Sequence, residues 1–191
     1  MAIDLRLYFS CDKSGREFVI ENLKPFYSHL LMNTKQTKEE TSLLDQAENQ
    51  IKLQSLIKIS MIPYGNTIYD KNNQTFTCPT KEECLANRYL ACANYYHNSE
   101  YNGHLHLVEF ALCFFNDENF QNNITLAVEK CSQQIWFNIS NAKQLKICVE
   151  NNEISDKILL EMKKQTESIE SSLNQCKLNL LKRLKKIKLF F

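Results

Sequence analysis

The sequence predicts a mixed fold of the α+β or α/β class, one strand–helix–strand unit followed by a block of helices. Two observations carry that expectation: an N-terminal alternation that lengthens into a helical period, and successive helical patterns from residue 80 onward. Ile3, Leu5, Leu7 and Phe9 alternate with Asp4, Arg6, Tyr8 and Ser10, the period of a strand. From Ser14 onward Phe18, Val19, Leu23, Phe26, Tyr27, Leu30 and Leu31 fall on one helical face. Pro25 is expected to kink that helix, because it removes a backbone donor. Residues 34–50 are polar and rich in Lys and Glu, and read as a solvated insertion or exposed helix. Ile57, Ile59 and Met61 signal a second strand, ended by Pro63-Tyr64-Gly65-Asn66. Residues 67–77 read as a hairpin turning at Asp70 to Asn73. Helices are expected near 80–97, 104–115, 119–132 and 142–149, then one long helix from Ile154 to about Ile187.

Composition narrows the function classes. The chain has 191 residues, 43% of them hydrophobic, and a net charge of +1. One domain is the default at this size, with about 70% of the unfolded surface buried. The 3 glycines are scattered, and no Gly-x-Gly-x-x-Gly or Gly-Lys-Ser/Thr occurs. Phosphate-cradling nucleotide loops, which need glycine's backbone freedom, are therefore not expected. No uncharged apolar run approaches the ~18 residues of a spanning helix, so stable membrane insertion is not expected either. The last segment carries Lys177, Lys182, Arg183, Lys185, Lys186 and Lys188 without an acid. Removing those six from the 23 basic residues leaves 17 against 22 acids, a net charge near −5 for the body. No aromatic residues interleave with these lysines, so a terminal helix with its cations at the negative end of the dipole is preferred to nucleic-acid or membrane attachment.

The 8 cysteines are the strongest chemical signal. With three glycosylation acceptors, Asn73-Gln74-Thr75, Asn123-Ile124-Thr125 and Asn138-Ile139-Ser140, they favour a secretory protein. The start, Met-Ala-Ile-Asp-Leu-Arg, reads as a strand and not as a signal peptide, so a leader is expected to lie outside this sequence. Cys11 falls between a strand end and a helix start. A helix N-terminus favours an anion, and Lys13 and Arg16 add positive charge nearby, so Cys11 is the candidate nucleophile, with a disulfide partner as the alternative. If Cys11 is free, parity leaves a second odd cysteine, for which Cys176 is the natural candidate. The remaining six, Cys78, Cys84, Cys92, Cys113, Cys131 and Cys148, can form three structural bridges in fifteen ways. Cys84 and Cys92 are excluded as partners of each other, since eight residues of helix separate them by ~12 Å. Cys78, Cys84, Cys92, His97, His104 and His106 raise zinc as a competing reading. The tight Cys-x2-4-Cys pairs of zinc modules are missing, so no metal is expected. No Gly-x-Ser-x-Gly occurs, and Glu82-Glu83 reads as a charged helix start.

Several of these motifs occur together in one family. Cys11-Asp12-Lys13-Ser14 after the first strand, Pro63-Tyr64-Gly65-Asn66, and the stretch from Cys78-Pro79-Thr80-Lys81 to Cys92 resemble the gamma-interferon-inducible lysosomal thiol reductases. The family signature joins Cys-Gln-His-Gly to Glu-Cys-x-x-Asn-x-x-x-x-Cys, and its second half is matched at Glu83, Cys84, Asn87 and Cys92. Cys113, Cys131, Trp136 and Cys148 also fall where the family places such residues, and the resemblance spans about residues 4–166. It implies a thioredoxin-like fold over 1–166 with a helical insertion at about 78–150, and leaves 167–191 as an atypical basic tail. It also implies thiol–disulfide exchange on disulfide-containing proteins in an acidic endocytic or secreted compartment, with Cys11 as nucleophile and no cofactor of its own.

Three departures accompany the resemblance. Ser14 stands where a resolving cysteine is usual, as in insect members with Cys-x-x-Ser. Its hydroxyl can hydrogen-bond the Cys11 thiolate but cannot attack a disulfide, so resolution would need an outside thiol such as glutathione or another cysteine. Pro79-Thr80-Lys81 replaces Gln-His-Gly. The family's closing Val-Pro segment and strand hairpin have no counterpart, the basic helix taking their place, so either the 3′ end of the gene is mis-assigned or the substrate groove is incomplete. The competing function is a catalytically degenerate secreted binding protein on the same scaffold.

Overall fold

The computed structural model describes residues 3–28, 57–64, 67–97, 103–134 and 139–168. The insertion read at 34–50, Asn138, Cys176 and the basic tail beyond residue 168 lie outside these residues. Strand β1 (Ile3–Tyr8) lies parallel to β2 (Ile57–Ile62), from Ile3 opposite Ile57 to Tyr8 opposite Ile62. Parallel neighbours require a crossover, and α1 (Lys13–Phe18) begins it. At the C-terminal end of β1 both Leu7 and Tyr8 pack against the core while Arg6 is exposed, so the alternation read there is not a simple in–out pattern. A second, antiparallel pair joins β3 (Ile68–Asp70) to β4 (Thr75–Thr77), and its turn is held by Asp70, which accepts from Asn72 N at 2.8 Å and Asn73 Nδ2 at 2.7 Å.

The effect expected of Pro25 takes a particular form. Val19–Leu23 winds as a π-turn, with Lys24 N donating to the Val19 carbonyl, and the helix resumes over 24–28. Proline offers no N–H to the preceding turn and its ring crowds the carbonyl there, a conflict that a widened turn relieves. Val19 and Leu23 remain buried through it, and the Tyr27 hydroxyl donates to Glu109 at 2.8 Å.

The helical block comprises α2 (Lys81–His97), α3 (Gly103–Asn116), α4 (Ile124–Gln134) and α5 (Ile139–Glu150), followed by a helix over 152–168. Helix α4 starts later than the periodicity suggests. Asp117 accepts from Asn119 N at 2.8 Å and holds a turn, and Asn123 then caps the helix by accepting from Leu126 N at 3.1 Å. The core is aromatic at its centre: Phe110, Phe114, Phe115 and Phe120 are almost fully buried, with Phe114 and Phe120 edge to face at 5.1 Å. Helices α2 and α3 pack on β2, and Asn94 Oδ1 accepts from Met61 N at 3.3 Å. Arg88 on α2 pairs with Asp156 at 2.7 Å, fastening the 152–168 helix to the block.

Candidate active site

Three elements meet at Cys11. Strand β1 delivers it through Phe9, whose N–H donates to the Ile62 carbonyl at 3.4 Å and whose ring meets Phe115 at 5.7 Å. The chain then turns sharply into α1. Asp12 is the N-cap, its Oδ1 accepting from Gly15 N at 2.9 Å and from the Ser14 hydroxyl at 2.7 Å. Gly15 permits the turn: a Cβ there would lie 1.7 Å from the Ser10 carbonyl oxygen, so no larger residue fits without moving backbone. Cys11 is thereby placed with a free thiol and only 4% of its surface exposed.

Helix α2 and the turn before α4 complete a cavity of about 270 Å³ around this thiol. Thr80 and Glu83 contribute from α2's N-terminus, and Phe120 and Ile124 form the apolar side. The Thr80 hydroxyl accepts from Glu83 N at 3.0 Å, capping α2 and holding Glu83 in its first turn. One turn on, fully buried Asn87 donates through Nδ2 to the Thr67 hydroxyl at 3.0 Å, and that hydroxyl lies 3.7 Å from Cys78 Sγ. The signature residues Glu83 and Asn87 thus share one helix face, directed inward.

The electrostatics differ from the sequence expectation. Burial pushes the Cys11 thiol well above its ordinary range, and the acids Glu83 and Asp12 push it further in the same direction. The two cations expected to help do not offset this: Lys13 borders the cavity but is solvent-exposed and 4.0 Å from Glu17, and the Arg16 guanidinium lies 6.0 Å from the Phe120 ring centroid. The predicted thiolate at a favourable helix end is therefore replaced by a desolvated, protonated thiol. Ser14 likewise differs, since its hydroxyl donates to Asp12 and not to the Cys11 sulfur. Burial raises Asp12, but hydrogen bonds led by those of Gly15 N and the Ser14 hydroxyl outweigh it and hold the carboxyl below its usual value.

The six remaining described cysteines form three disulfides: Cys78–Cys84, Cys92–Cys148 and Cys113–Cys131. Cys78, Cys84 and Cys92 are thus consumed as half-cystines, which removes the sulfur ligands from the zinc reading. Asn73 sits exposed in the β3–β4 turn and Asn123 exposed at the start of α4. Among the described residues no helix is long and apolar enough to cross a membrane. Sequence reasoning passed over Glu83 as part of a charged helix start. The available signal was its place beside Cys84 in the matched signature, four residues before Asn87.

The model of one protein family, described as Gamma interferon inducible lysosomal thiol reductase (GILT), matches residues 3–135. No curated protein matches the chain.

Proposed function

Because the chain belongs to the gamma interferon inducible lysosomal thiol reductase family, we propose that it reduces protein disulfides by thiol–disulfide exchange, with Cys11 as the attacking sulfur. The observation that carries this reading is one free cysteine at the β1–α1 junction, lining a cavity while every other described cysteine is bridged. The Cys11 sulfur attacks one sulfur of the substrate disulfide, a mixed disulfide forms, and the second substrate sulfur leaves as a thiol. Ser14 has no sulfur to displace that intermediate. An external thiol of the glutathione type therefore attacks the Cys11 sulfur and releases the reduced substrate, and a second such thiol restores Cys11. The parallel β1–β2 pair with a crossover beginning at α1 supports a thioredoxin-like scaffold for this chemistry. The family and the three disulfides support an acidic endocytic or secreted setting, with Asn73, Asn123 and Asn138 as glycan acceptors.

The bond from the Ser14 hydroxyl to Asp12 favours a second reading, a disulfide-trapping or binding protein that stops at the mixed disulfide. A reductase assay at acidic pH with excess thiol donor separates the two. Turnover that vanishes in Cys11→Ala supports the reductase. Equal rates in wild type and Cys11→Ala refute it, and a Cys11-dependent mixed disulfide without turnover establishes trapping.

A further inference from the structure

Glu83 is a buried acid without an assigned role. It is only 5% exposed, its Oε1 has no hydrogen-bond partner among the described residues, and its side chain lines the cavity that holds Cys11. A carboxylate oxygen removed from water and left unpaired is costly, so its retention at this spot calls for a chemical use. The other charged groups facing the cavity are poorly suited to take a proton. Asp12 spends Oδ1 on the Ser14 hydroxyl and Gly15 N, Glu82 is solvent-exposed, and Lys13 is a cation; the Phe120–Ile124 side contributes no charge. From this arrangement we infer that Glu83 is the proton acceptor for Cys11.

The inference deepens the reductase reading and rests on it. As the Cys11 sulfur bonds to the substrate sulfur and the substrate S–S bond breaks, the thiol proton passes to the Glu83 carboxylate. Glu83 then returns that proton to the departing sulfur, so the step closes with no other proton donor or acceptor. Burial first, and then the charge of Asp12, raises the Glu83 carboxyl above its ordinary value, the same direction in which burial moves the thiol it serves. Transferring the proton from sulfur to carboxylate leaves one negative charge on the Cys11–Glu83 pair, where ionising the thiol beside charged Glu83 would leave two, each added to that of Asp12.

Alkylation of Cys11 by iodoacetamide, followed by peptide-resolved mass spectrometry from acid to alkaline pH, tests this without any disulfide substrate. Wild type is expected to show two rises in rate, one as Glu83 ionises and one as the thiol itself titrates, with a plateau between. Glu83→Gln is expected to lose the first rise and to react about 100-fold more slowly on the plateau, the lower end for general-base assistance. A merely electrostatic role gives the opposite sign, since removing a nearby negative charge favours the thiolate. Plateau reactivity that is unchanged or faster in Glu83→Gln overturns the inference. A single rise in wild type overturns it whatever the variant does, which covers a Glu83→Gln chain that fails to fold. Two rises in a protein without reductase turnover would refute the reductase reading and leave the proton-acceptor role standing.

Discussion

At the residue scale, protonation decides what Cys11 can do. A thiol 4% exposed that shares its cavity with Asp12 and Glu83 is held in its neutral form by desolvation first and by those charges second. Asp12 therefore has two separable effects, capping α1 and opposing the thiolate. Asn caps a helix as well as Asp, so Asp12→Asn isolates the charge. The Cys11 titration is expected to move to lower pH, raising the thiolate fraction and the alkylation rate at fixed pH. The upper rise of the alkylation profile reads the shift, and an unmoved rise would show that Asp12 and the thiol are not coupled. The sequence displayed Cys11, Asp12 and Glu83 as residue types. It did not display their proximity, because Glu83 is 72 positions from Cys11 and the two meet only through packing.

At the scale of elements, the β1–α1 corner is the most constrained segment. Strand, nucleophile, cap and helix occupy consecutive residues, and the corner closes only because Gly15 lets the first turn of α1 lie against the Ser10 carbonyl. Gly15→Ala places a Cβ where backbone already sits, and yielding would mean displacing Cys11 itself. We expect a loss of about 3 kcal/mol or more in denaturant unfolding, with Cys11 becoming more open to alkylation. A loss under about 1 kcal/mol would mean that the corner relaxes freely. Most elements here were legible in the linear pattern. The strands at 3–8 and 57–62 and the helix at 81–97 stand where the apolar pattern along the chain places them, although neighbouring residues at the strand ends are buried together. The π-turn at Val19–Leu23 and the late start of α4 were not legible, because each depends on how backbone groups at one turn find partners.

At the scale of the whole molecule, the disulfides divide the work of holding the helical block together. Cys92–Cys148 spans 56 residues and ties α2 to α5, Cys113–Cys131 spans 18 and ties α3 to α4, and Cys78–Cys84 spans 6 and closes the loop that carries Thr80 and Glu83. On chain entropy alone these loops are worth about 4, 3 and 2 kcal/mol respectively. Replacing each pair by Ala is expected to lower unfolding stability in that order, as measured by denaturant titration. A largest loss from the Cys78–Cys84 replacement would show that local packing, and not loop closure, dominates. That bridge also borders the cavity through Thr80 and Glu83, so its removal is expected to alter Cys11 alkylation where the other two do not.

The sequence by itself determined the strand–helix–strand unit, the helical block, Cys11 as the candidate nucleophile, and six cysteines available for bridges. Periodicity, cap chemistry and residue type are properties of neighbours along the chain. Only the tertiary structure decided which cysteines join, that the Ser14 hydroxyl serves Asp12, and that Cys11 is a buried thiol sharing a cavity with Glu83 in place of a stabilised thiolate. Those outcomes depend on distance through space and on the removal of water, and neither is written in the order of the residues.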